Sequence, residues 1–298
     1  MAFRFSTDDP SIQRGIRRIA QKEAAAALGH LQADLVADPQ AVHEVRKSAK
    51  KLRGLIGLVR PVFPHARAEN AALRDAARQI AALRDAEVMC RTFEGLADVL
   101  PDEAQGPLRA ALDARKEAVA PPETLTAAAQ AVKAEFEELQ KRCRGWKIRG
   151  KDFAALEPGL AETWAKARKG VRRARKACGD ESLPAAPFHS WRRRVKQHWY
   201  QARLLQPIWP EIMDPHVAQA DALGELLGAH NDLDVLLTTL SDDPALAGNP
   251  ALESLETVVI ERRRALAAEA VALGGRLFAE PADALTSRWG HWFRLWRG

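Results

Sequence analysis

The stretches VHEVRKSAKKLRGLIGLVRPVFP and FHSWRRRVKQHWYQARLLQPIWP are two copies of one pattern, with His189 standing 146 residues after His43. At that offset Arg46 matches Arg192, Lys47 matches Arg193, Lys50 matches Lys196 and Leu58 matches Leu204, and Pro61, Phe63 and Pro64 match Pro207, Trp209 and Pro210. Upstream, Arg14-Gly15-Ile16-Arg17-Arg18 resembles Lys169-Gly170-Val171-Arg172-Arg173. Downstream, Leu83-Arg84-Asp85-Ala86-Glu87-Val88 resembles His230-Asn231-Asp232-Leu233-Asp234-Val235. A repeat this long means one supersecondary unit used twice, the two copies burying what neither buries alone. It divides the 298 residues into halves 1–150 and 151–298 of a single domain.

Both halves read as helix. Asp8-Asp9-Pro10-Ser11 and Asp38-Pro39 are helix-start signals, and Ile12, Ile16 and Ile19 recur at helical spacing. Strand-like alternation is absent, and an Ala-rich chain with 6% aromatic residues favours helix. The expected class is all-α, a pseudo-symmetric pair of helical bundles. A third helix starts near Arg67 and reaches Leu83, with a break or a continuation open near Arg84-Asp85. Residues 103–118 and 123–142 complete the first half, and Cys143–Lys151 is the expected linker, whose cations could equally lie beside the ligand. The second half runs through 158–178, a break at 179–187, the His189 helix, a corner at 210–215, then 216–240 and 250–277.

Three cysteines without CxxC or zinc spacing predict reduced thiols. The N-terminal segment lacks the continuous apolar core of a signal peptide. No stretch approaches the roughly 18–20 apolar residues of a membrane span. These features predict a soluble cytoplasmic protein.

The chemistry lies on the histidine helices. At 100° per residue, Arg46, Lys47, Lys50 and Arg53 fall within about 80° of His43, opposite a core stripe of Val42, Val45, Ala49, Leu52, Ile56 and Val59. Gly54 and Gly57 share the basic side and are expected to let a bulky ligand approach the backbone. In the second copy Arg192, Arg193, Lys196 and Arg203 surround His189, while Trp199 and Tyr200 replace Arg53 and Gly54. Cations crowded at i, i+3 and i+4 repel one another unless an anion or neighbouring carboxylates neutralise them. The upstream helices repeat the crowding through Arg14, Arg17 and Arg18, and through Lys169, Arg172, Arg173 and Lys176. One basic helix is ordinarily a solvated face. Four of them, two carrying a histidine at a fixed offset from its cations, predict a groove for an anion, with His43 and His189 donating to phosphate oxygens.

Asp85, Glu87, Asp232 and Asp234 leave two roles open: carboxylates for a metal-dependent phosphohydrolase, or structural partners of the crowded arginines. The second is favoured, because no HExxH, DxDxDG or P-loop spacing accompanies them. His65, His216 and His230 match no pattern and read as ordinary residues. Arg262 and Arg263, in an ERRR run without a counterpart in the repeat, read as a solvated helix face. The C-terminal SRWGHWFRLWRG is expected to dock its tryptophans on the bundle.

The doubled His-x-x-Arg-Lys/Arg-x-x-Lys helices, the Phe/Trp-Pro corner and the Arg/Asn-Asp-x-Asp/Glu-Val segments make the chain similar to the conserved-histidine α-helical domain (CHAD) family over nearly its whole length. The resemblance implies two bundles of about four helices each, related by a pseudo-twofold axis around a basic central cavity. It also implies binding of inorganic polyphosphate and association with polyphosphate granules. The positions it carries over are Arg14, Arg17, Arg18, His43, Arg46, Lys47, Lys50 and Arg53, then Lys169, Arg172, Arg173, His189, Arg192, Arg193 and Lys196. Trp199 where a cation is expected, His198 where a leucine is, and Asn231 where an arginine is depart from the family pattern. The expectation is a non-catalytic polyphosphate binder without a cofactor. Single-stranded nucleic acid in the same groove ranks second, since only Trp199 and Tyr200 offer the aromatic stacking such ligands use. A metal-dependent phosphohydrolase ranks third.

Overall fold

Ser11 begins the first helix: its hydroxyl oxygen accepts the backbone N–H of Arg14, a donor the helix itself leaves unpaired. The computed structural model describes residues 3–32, 39–118 and 122–298, and every regular element among them is helical. In chain order these are α1 (Ile12–His30), α2 (Pro39–Val59), α3 (Ala66–Gln79), α4 (Ala81–Glu94), α5 (Asp102–Glu117), α6 (Pro122–Arg144), α7 (Glu157–Cys178), α8 (Ala185–Leu205), α9 (Pro210–Ser241), α10 (Pro250–Leu277) and α11 (Ala282–Arg297). Asp38 and the side chains of Leu83 and Arg84, used in the sequence reading, lie outside the described residues. Among the described residues no helix is long and apolar enough to cross a membrane. Cys90, Cys143 and Cys178 are free thiols.

Both histidine helices, α2 and α8, end in a 3-10 turn, at Arg60–Val62 and Gln206–Ile208, where Pro61 and Pro207 interrupt the helical hydrogen bonding. Beyond the turns the halves differ. The first half breaks at Ile80, earlier than Arg84-Asp85, while the second continues as the 32-residue α9. The expected corner at 210–215 is therefore helix. Pro215 lies early in α9, and its ring forgoes one intrahelical bond, the one to the carbonyl of Glu211.

Two buried clusters hold the helices together, and neither belongs to one half. The larger draws Ile16, Leu52 and Phe136 from the first half together with Trp164, Trp191 and Leu223 from the second. The smaller joins Phe93 and Leu108, on α4 and α5, to Leu236 and Leu255, on α9 and α10. Trp289 and Phe293 of α11 are buried, with the Phe293 ring 5.6 Å from Phe153. The C-terminal helix thus docks as its sequence suggests.

The expected linker begins inside α6, at residues 143–144, and beyond it forms an ordered strap. The Trp146 indole donates to buried Glu69, the Ile148 N–H to Gln13, and the Arg149 N–H to the carbonyl of Val62. A polar backbone laid over a core needs such partners.

His198 replaces the expected leucine in a buried setting. Its Nε2 lies 2.8 Å from Nε2 of His216, among the rings of Trp164, Phe278 and Trp289. In the neutral pair one imidazole donates and the other accepts. Burial holds His198 well below its ordinary pKa, and burial together with the charge of Arg288 brings His216 to about 4.

The start of α7 passes closest to the end of α2 at Gly159. A Cβ there would stand 1.9 Å from the carbonyl oxygen of Leu58. Because the obstacle is backbone, no rotamer change relieves it. Gly159→Ala is expected to destabilise the protein by about 3 kcal/mol, the upper range for overpacking, read as a lowered urea midpoint. Gly29→Ala, where a Cβ meets nothing within 4 Å, should leave the midpoint unchanged or raise it.

Candidate polyanion-binding surface

The histidine helices cross. Gly54 of α2 faces Tyr200 of α8, where an added Cβ would lie 2.6 Å from the tyrosine Cβ, and Gly57 faces Gln197. The expectation that these glycines admit a ligand is corrected: both are buried, and what they admit is α8. Gly54 and Tyr200 are equivalent positions at the 146-residue offset.

At this crossing cations of both halves come together. Arg53 donates through Nε to Asn70 on α3. Burial first, then the guanidinium groups of Arg74 and Arg193, lower its affinity for its proton. Arg194 is shifted the same way by burial, Arg193 and Arg60, and Lys166 by burial, Arg194 and Arg60. Nearby like charges disfavour a cation's charged form. Arg53, Arg74, Arg193, Arg194, Arg60 and Lys166 therefore neighbour one another in a basic tract over α2, the turn at its end, α3, α7 and α8, within which Asp75 pairs with Arg74 and acts on Arg53 in the opposite sense. Glu162 pairs with both Arg60 and Lys166 at its far end.

The histidine ends of α2 and α8 are built differently from each other. His189 is exposed, and its Nδ1 lies 2.6 Å from Oδ1 of Asn231, whose Nδ2 donates to Asp232. That chain makes Nδ1 the donor and leaves Nε2 for a ligand. His43 is half-buried. Arg46 donates to the carbonyl of Ala77 and lies 3.7 Å from Asp85, and Lys47 is paired with Glu44. Lys50 is exposed. Arg192 is half-buried against Gly228, and Lys196 pairs with Asp221 and Glu225. Lys196 and Arg203 both stand over the Trp199 ring, at 4.2 and 4.8 Å from its centroid.

A family model described as the CHAD domain matches residues 18–241. The chain belongs to the CHAD domain family. The match begins within α1 and ends with α9, so α10 and α11 lie outside it. Among solved structures, PptA from Streptomyces chartreusis is similar with a TM-score of 0.58 at 14% identity, over 89% of this chain and 98% of that one. At that identity the likeness is one of fold. No curated protein matches the chain.

In this CHAD domain two of the three expected α1 cations, Arg17 and Arg18, are engaged elsewhere. Arg18 makes a two-pronged ion pair with Asp9, and Arg17 donates to the carbonyl of Trp146. Arg14 is exposed. A groove between α1 and α6, lined by Arg18, Lys22 and Arg144, is separate from the tract at the helix crossing. Lys169, Arg172, Arg173 and Lys176 of α7 are all exposed.

Of the acidic residues, Asp85 pairs with Arg46, whereas Asp234 pairs with Arg263 rather than with a cation of the repeat. Arg263 is buried and donates to the carbonyl of Leu183, which corrects its reading as a solvated residue; Arg262 is exposed. Among the described residues no group of three or more His, Cys, Asp or Glu is placed to hold a metal ion.

Arg60, Arg74, Arg194 and Lys166 were not singled out from the sequence. For Arg74 a signal existed: Arg67, Arg74 and Arg78 fall on one face of the helix following the proline corner. Arg60 and Lys166 join the tract only through the packing of α7 on the end of α2, which no local spacing announces.

Proposed function

We propose that this CHAD domain binds inorganic polyphosphate along the tract at the α2–α8 crossing and does not cleave it. The observation that carries the reading is the close crossing of the two repeat copies, Gly54 against Tyr200 and Gly57 against Gln197, which brings Arg193 near enough to Arg53 to add to the burial that disfavours the Arg53 charge. Such crowding costs free energy in the empty protein and is relieved by a ligand with many closely spaced oxyanions. Arginine suits that ligand because its planar fork binds phosphate through two bonds at once. The family resemblance points to the same substance. A residue meets its own repeat equivalent only on the axis relating the copies, so we read the Gly54–Tyr200 contact as marking an approximate twofold through the site.

The placement of Trp199 favours polyphosphate over single-stranded nucleic acid. Bases need an open aromatic face, and here Lys196 and Arg203 stand over that ring. Incubation with polyphosphate and Mg²⁺ or Mn²⁺ is expected to release no phosphate above a blank, while the same protein retains labelled polyphosphate on a filter. Release of phosphate that Asp85→Asn abolishes would establish the phosphohydrolase instead. In cells, a fluorescent fusion is expected on polyphosphate granules.

A further inference from the structure

Helices α3 and α9 are counterparts at an offset of 147 residues. In that register buried Leu73, Ala76 and Ile80 match buried Ala220, Leu223 and Leu227. The same register sets Arg67, Arg74 and Arg78 against Asp214, Asp221 and Glu225. One face of the repeated unit is therefore basic in the first half and acidic in the second. On the basic side, Arg74 adds to the field at Arg53, although Asp75, within 4 Å of Arg74 and Arg78, offsets part of it. On the acidic side, Asp221 and Glu225 hold the Lys196 ammonium at 3.2 and 2.9 Å. Gly224 makes room for this arrangement, since a Cβ there would stand 2.5 Å from Cδ of Lys196.

We propose that Asp221 and Glu225 are specificity residues of this site, favouring polyanions dense enough in charge to take Lys196 from them. The inference rests on the polyphosphate reading and extends it. A phosphate that reaches Lys196 must displace two carboxylates and then lie beside them, a penalty built against any weaker competitor. In inorganic polyphosphate adjacent phosphorus atoms share one oxygen, so several oxyanions reach Lys196 and Arg193 together and replace both lost ion pairs. In single-stranded nucleic acid a sugar separates successive phosphates. Fewer oxyanions arrive, and the carboxylate repulsion is left uncompensated. The carboxylates repel every polyanion, the densest most, and on this proposal the additional contacts of polyphosphate to Lys196 and Arg193 more than offset that repulsion.

The test is a pair of titrations, long-chain polyphosphate and an oligothymidine, on the wild type, on Asp221→Asn with Glu225→Gln, and on Glu253→Gln with Glu256→Gln. The last pair removes the same charge from α10. Neutralising Asp221 and Glu225 should raise oligothymidine affinity about tenfold and polyphosphate affinity less than about threefold, the scale expected for two partly exposed charge interactions. The α10 variant should change both affinities alike. The amides keep the shape of the carboxylates, and matching circular dichroism melts would establish that the fold is unchanged. A selectivity ratio unchanged in the first variant, or shifted equally in the second, would overturn the inference while leaving polyphosphate binding intact. A wild type that does not prefer polyphosphate to oligothymidine would overturn the underlying reading and this inference with it.

Discussion

Replacing Arg53 and Arg193 together by alanine is expected to weaken polyphosphate binding by two orders of magnitude or more. Each guanidinium forfeits charge-assisted hydrogen bonds of roughly 1.5–3 kcal/mol. Both sit where cations of the two halves meet, so one stretch of polyphosphate would engage them together. Arg46 and Arg192 are less informative targets, because Arg46 also carries the carbonyl of Ala77 and Arg192 lies half-buried against Gly228. The matched control is Lys116→Ala with Arg262→Ala, two exposed cations on α5 and α10. It removes the same net charge and should cost less than about threefold, because salt screens attraction beyond about 8–10 Å. Arg263 is unsuitable as a control, being buried and tied to Asp234 and Leu183. Equal losses in the two double variants would mean that binding follows net charge and that the crossing is not the site.

Mild acid is expected to destabilise the fold by several kcal/mol through three histidines. His198 and His230 are buried, and His216 closes the pair with His198. Burial, reinforced by Arg263, brings His230 to about 4, as burial and Arg288 do for His216, and His198 lies lower than its ordinary value for the same reason of burial. In the unfolded chain each imidazole takes a proton near pH 6.5, while the folded chain keeps it neutral. The unfolded state therefore binds more protons below that value, and stability falls as pH falls. The contribution is complete above about 6.5 and is progressively lost toward the folded-state values of His216 and His230 near 4. For His216 and His230, whose folded-state values are about 4, the loss is about 1.4 kcal/mol per pH unit in that window, about 4 kcal/mol together at pH 5, and buried His198 acts in the same direction. Urea midpoints at pH 7.5 and pH 5.0 measure this. A His198→Leu, His216→Leu variant should lose most of the pH dependence, whereas identical wild-type midpoints at the two pH values would contradict the account.

The repeat was legible because it is written in local chemistry, with prolines at the helix ends and a cation face at fixed offsets from each histidine. The all-α class followed from the same periodicity. What the sequence hid is what stands opposite each face. A helical projection puts Gly54 and Gly57 beside the cations, yet it cannot show that α8 fills the space above them. Arg263 looked solvated within its run because its carboxylate partner, Asp234, lies on another helix. The charge reversal between α3 and α9 was obscured by a one-residue slip in register after the proline corner. The α1 cations looked equivalent to those of α2, but Arg18 and Arg17 are taken up by Asp9 and by the ordered strap at Trp146. In each case the missing information is tertiary.

The most direct test of the central claim is the salt dependence of long-chain polyphosphate binding. Each phosphate neutralised by a cation releases condensed counterions, with a log–log slope of about −0.7 per contact for a single-stranded polyanion. Six or more simultaneous contacts along the tract at the α2–α8 crossing predict a slope steeper than about −4. A steep slope in the wild type, made shallower by about one or more in Arg53→Ala with Arg193→Ala, is the expected result. An affinity that barely responds to salt would contradict the cationic tract as the binding surface.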